Sequence, residues 1–115
     1  MPDLWMGPNL FRFEQVVIER LLKPGQSGNY VLGLKDESGE FIPRFIGRSD
    51  FDLRAEMTAK LATVKYPYFK FSLCNPRIAF ETESAQFHNY RGQLDNKTHP
   101  VSPAGSGFKC FLCGL

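Results

Sequence analysis

Apolar positions along this chain change their period several times, and each change marks an element. From Leu10, the positions Leu10, Phe13, Val17 and Leu21, with Phe11, Ile18 and Leu22 beside them, recur at helical spacing. Asn9 is placed to cap such a helix and Pro24-Gly25 to stop it, which predicts a helix from Leu10 to the residues before Pro24. Residues 29–35 read as a strand, Asp36-Glu37-Ser38-Gly39 as a turn, and residues 40–46 as the returning strand of a hairpin. Pro43 has no N–H to give to a ladder, so the second strand belongs at a sheet edge or carries a bulge.

Ser49 to Asp52 offers several capping oxygens ahead of a helix predicted from Leu53 to about Val64, which Tyr66-Pro67 ends. Tyr68 to Leu73 alternates as a third strand. Asn75-Pro76 then has the form of an N-cap followed by proline at the first helical position, opening a helix to Tyr90. The pattern is that of an α/β (α+β) domain with a small antiparallel sheet of three strands flanked by helices. Residues 1–24 form an arm and helix, 28–96 the core module, and 97–115 a tail rich in Gly and Pro. At 115 residues the chain has the size of one domain.

Charge changes this picture little. The 14 basic and 12 acidic side chains leave a net +2, and the basic surplus lies in the second half. No apolar run approaches the roughly 18 residues of a membrane span, and no secretory leader precedes the first helix, so no membrane partner is expected. Three cysteines cannot all pair within the chain, and a reducing, cytoplasmic setting is the plain expectation.

Chemistry enters with Gly28-Asn29-Tyr30 on the first strand and Phe45-Ile46-Gly47 at the end of the second, followed by Arg54, Glu83 and Asn96. In this order the residues resemble the motifs of the GIY-YIG nuclease superfamily over about residues 28–96. More narrowly, Gly47-Arg48-Ser49-Asp50, Ala79-Phe80-Glu81 and the His99-Pro100 tail resemble a small stand-alone branch with a terminal cysteine pair. The resemblance implies a divalent-metal-dependent DNA endonuclease, nonspecific or structure-selective. Glu83 would hold Mg²⁺ or Mn²⁺, Tyr30 and Arg54 would face the phosphodiester, and Asn96 and Arg48 would contact DNA. Those residue types suit phosphodiester chemistry, because a carboxylate holds a hard cation and an arginine fork meets phosphate oxygens. Tyr30, with an ordinary pKa near 10, would serve as a base only if its surroundings lowered that value. Phe45 stands where typical members carry a tyrosine, which keeps a catalytically silent nucleic-acid- or protein-binding module as the alternative. The apolar first helix is a second possible partner-docking element.

Further basic residues, Lys60, Lys65, Arg77, Arg91 and Lys97, are dispersed and predict phosphate contact without base reading. The tail carries a separate signal. His88, His99, Cys110 and Cys113 follow the order His-x₁₀-His-x₁₀-Cys-x₂-Cys, enough donors for one structural Zn²⁺, although helix packing of His88 and a loop hydrogen bond from His99 would also explain the histidines.

Overall fold

A computed structural model describes residues 9–96, 98–103 and 105–110. In chain order the elements are β1 (Phe11–Arg12), α1 (Gln15–Leu21), β2 (Gly28–Lys35), β3 (Phe41–Ser49), α2 (Leu53–Leu61), β4 (Tyr68–Leu73) and α3 (Pro76–Asn89). The strands form one antiparallel sheet in the order β1-β4-β2-β3. The mixed α/β class follows the sequence pattern, but the sheet has four strands rather than three.

The extra strand comes from the predicted first helix. Phe11 and Arg12 are extended and pair with Phe69 and Tyr68, and α1 starts only at Gln15, with Glu14 rather than Asn9 at its N-cap. Phe11 lies 5.6 Å from the ring of Phe69 and 5.8 Å from that of Phe71. Cross-strand aromatic packing of this kind outweighs the few tenths of a kcal/mol per residue that separate local propensities. The remaining boundaries fall close to expectation. Asp52 caps α2 by accepting from the Ala55 N–H, and Asn75 caps α3 by accepting from Ile78. α2 ends at Leu61, before the predicted Val64, and residues 62–64 turn back onto the Ala59 and Lys60 carbonyls.

β2 is the central strand and its side chains alternate between two cores. Tyr30 and Leu32 pack with Phe13, Val17, Ile18, Leu22, Leu53, Met57 and Phe69 beneath α1 and α2. Val31 meets Ile46 and Phe87 on the α3 side. The apolar face of α1 therefore covers the sheet. β3 lies at the edge, and its register against β2 shifts between Leu32 and Gly33, so that Leu32 faces Phe45 while Gly33 faces Pro43. Pro43 thus sits on an edge strand beside a bulge, where its missing N–H breaks no ladder.

The segment after α3 closes this edge. Gln93 donates Nε2 to the Pro43 carbonyl at 3.0 Å, and the Asp95 N–H donates to the Arg44 carbonyl at 2.5 Å. Asn96 accepts from the Ile46 N–H at 2.8 Å and donates back to the Ile46 carbonyl at 2.9 Å. An edge strand that would otherwise offer open backbone groups is thereby covered.

Candidate functional site

Tyr30, Gly47, Arg48 and Glu83 lie where β2, β3, α2 and α3 come together. Tyr30 is fully buried, directly across from Gly47, and its ring stacks 6.4 Å from that of Phe45. A Cβ on Gly47 would lie 2.3 Å from the Tyr30 ring and hydroxyl. The glycine of the second motif is therefore the space through which the tyrosine of the first reaches α2. There the Tyr30 hydroxyl donates to Glu56 Oε2 at 2.8 Å. Burial, and then the charge and hydrogen bond of Glu56, push the Tyr30 phenol far above its ordinary pKa. Tyr30 accordingly keeps its proton and orients Glu56.

Glu83 lies on the inner side of α3 and is also buried. One of its oxygens, Oε1, accepts from Arg48 Nη1 at 2.6 Å. Burial pushes its carboxyl pKa up, the Arg48 hydrogen bond and charge pull it down, and the charges of Asp50 and Glu56 push it up again. Arg48 has four partners. It donates Nε to Asp50 at 2.9 Å and Nη1 to Glu83, it donates Nη2 to the Val101 carbonyl, and its guanidinium lies 5.2 Å from the Phe80 ring centroid.

Two of the expected site residues stand elsewhere. Arg54 turns to α1, with Nη2 3.8 Å from Glu19. Asn96 is committed to the Ile46 backbone and acts as a clasp on β3. The site gains two residues that the motifs do not mark, Asp50 and Glu56. Glu56 was legible in principle: it lies one residue before Met57, which α2 buries, and a tyrosine in the middle of a central strand needs an acceptor for its hydroxyl. Asn29, in the place of an apolar residue, is buried but satisfied. It donates to the Ala79 carbonyl at 2.7 Å and accepts from the Cys74 thiol at 3.3 Å, tying β2 to the start of α3.

Outside this cluster, Tyr66 donates its hydroxyl to Asp95, which also receives Arg44 Nη2 at 2.9 Å. Partial burial and the Asp95 carboxylate push the Tyr66 pKa up to about 12. A raised pKa in the folded chain means that this contact contributes fully below pH 10, the phenol's ordinary value, and is lost as pH rises through about 12. Alkaline titration followed by phenolate absorbance should show a step near pH 12 that Tyr66→Phe lacks. A difference appearing near pH 10 instead would mean that Asp95 does not hold the hydroxyl.

In the tail, the ligand atoms of His88, His99 and Cys110 lie within 4.8 Å of one another. Cys113 and Lys97 lie outside the described residues. No helix among the described residues is long and apolar enough to cross a membrane. Comparison of the chain with protein-family models, with curated proteins and with solved structures returns no match.

Proposed function

We propose that the chain is a divalent-metal-dependent DNA endonuclease of GIY-YIG type, with Glu83 and Glu56 as its central residues. The observation that carries this reading is the state of Glu83: a largely buried carboxylate on the inner side of α3, held through Oε1 by Arg48 and with the Asp50 and Glu56 carboxylates near enough to raise its pKa. Three carboxylates drawn this close together call for more positive charge than Arg48 alone supplies. A hard cation that keeps most of its waters needs only one or two carboxylate oxygens from the protein, so the donor set fits Mg²⁺ or Mn²⁺. When bound there, the cation supplies Lewis-acid polarisation of the phosphoryl group and stabilises the departing oxygen.

The chain's own residues provide the remainder. Glu56 is partly exposed, and Tyr30 holds one of its oxygens from beneath, which orients it to accept a proton from an attacking water. Lys60, 4.0 Å from Glu56 and 5.3 Å from the Phe45 ring centroid, adds positive charge on the side where phosphate would approach. Phe51, 81% exposed and next to Asp50, offers a ring on which a base can stack. Arg48 positions Glu83. On this reading Phe45 need not disable the chemistry, because the base is a carboxylate and not a second phenol.

The test is cleavage of end-labelled single-stranded, duplex and flap DNA with Mg²⁺ or Mn²⁺. The native chain should cleave. Glu56→Gln and Glu83→Gln should each lose about 10²-fold or more, while Arg54→Ala retains most of the rate. The completeness of the Arg48 contacts favours one alternative, a silent DNA-binding module on the same fold. Salt-sensitive binding without cleavage by folded native protein would select it. Neither cleavage nor binding at low salt would reject both.

A further inference from the structure

We propose that His88, His99 and Cys110 bind one Zn²⁺ ion, which staples the tail to the end of α3. This inference is independent of the nuclease reading. The three donors are His88 on an α-helix and two residues 11 and 22 positions after it, yet their ligand atoms all lie within 4.8 Å. Cys110 Sγ is 3.6 Å from His88 Nε2. Two ligands of a tetrahedral zinc, at about 2.3 Å for sulfur and about 2.05 Å for nitrogen, stand about 3.6 Å apart, so this edge already has the length the ion requires. The two imidazoles approach with centroids 5.2 Å apart and planes inclined by 64°, converging rather than stacking.

The surroundings support the same assignment. His99 Nδ1 is 2.8 Å from the Pro100 carbonyl, an acceptor only, so the proton sits on Nδ1 and Nε2 carries the lone pair. A carbonyl on the second ring nitrogen is the usual way a protein orients a metal-binding histidine. Cys110 is only 2% exposed, and as a thiolate it needs a cation beside it. Two imidazoles and a thiolate suit zinc better than a hard cation. In the sequence, Cys113 stands in C-x₂-C spacing with Cys110.

The ion has a definite effect on the fold. Between its first and last described ligands, the chain clasps the β3 edge through Gln93, Asp95 and Asn96 and gives the Val101 carbonyl to Arg48. Pinning both ends of this strap holds it against the sheet and holds Arg48 against Glu83. The ion thus supplies order that a segment rich in Gly and Pro cannot obtain from packing.

The test uses the full chain purified without chelator. Elemental analysis should find stoichiometric zinc. Cobalt substitution should give the intense visible bands of a tetrahedral site and a thiolate-to-cobalt charge-transfer band, and Cys110→Ser should weaken the latter. Trypsin cleavage after Lys109 should accelerate about 100-fold on chelation if zinc had been present at about 100 times its dissociation constant. Folded protein that takes up no zinc, or a cobalt spectrum without the thiolate band, would overturn the site. Unchanged cleavage on chelation would overturn the staple. If Cys110→Ser does not fold, the native cobalt spectrum and the trypsin rate still decide. Neither readout involves DNA, so failure here is distinct from failure of the nuclease reading.

Discussion

Arg48→Ala is expected to destabilise the chain by about 3–5 kcal/mol, a large part of the roughly 5–15 kcal/mol typical of a whole domain. The size follows from what the guanidinium leaves behind. The Arg48 and Glu83 side chains are only 10% and 11% exposed, and Asp50 is 17% exposed, so both carboxylates lose their counter-charge in a site that water barely reaches. Arg48→Lys should recover little of this, since a single ammonium cannot bond Asp50, Glu83 and the Val101 carbonyl together. The sign with pH can be checked. Burial already raises Glu83, and without Arg48 it rises further, so the variant should regain stability as pH falls and Glu83 protonates. Chemical denaturation of Arg48→Ala alone and combined with Glu83→Gln measures the coupling. The double variant should be more stable than Arg48→Ala at neutral pH, and strictly additive losses would show that no buried charge was left unpaired.

Gly47→Ala should produce the second large loss, through geometry instead of charge. The added methyl would meet the Tyr30 ring and hydroxyl at 2.3 Å, with β2 and β3 paired on either side of the contact. Forcing such an overlap costs about 1–3 kcal/mol. Displacing the hydroxyl from Glu56 while leaving it buried adds about 1–3 kcal/mol. The same displacement frees Glu56 from its orienting bond, so the proposed cleavage activity should fall with stability. Combining Gly47→Ala with Tyr30→Leu isolates the cause: the alanine should cost far less once the ring is gone. An equal cost in both backgrounds would place the strain elsewhere.

The two residues behind these predictions differ in how far the sequence reveals them. Gly47 is conspicuous as the end of an aromatic-Ile-Gly triplet, but its partner is not, because the pairing of Tyr30 with Gly47 depends on hairpin register. That register includes a shift opposite Pro43, which no local pattern specifies. Arg48 reads as one of several dispersed cations, and only the fold shows it enclosed by Asp50, Glu83 and Val101. Arg54 is the opposite case. Its position after the second motif suggests the site, whereas its side chain lies beside Glu19 of α1.

By itself, the sequence determined what short-range physics fixes: the hairpin turn, the Asp52 and Asn75 caps, the placing of Pro43 on an edge strand, and most of the longer elements to within a few residues at their boundaries. It also marked His88, His99 and Cys110 as candidate zinc donors, because ligand chemistry restricts residue type. Tertiary structure alone decided the rest. It converted the start of the first predicted helix into β1, since a cross-strand aromatic cluster outweighs helical spacing. It made Asn96 a clasp on Ile46 and gave Tyr30 a carboxylate partner. Charges and hydrogen bonds acquire their roles only when distant segments are brought within a few ångströms, and no local propensity encodes that distance.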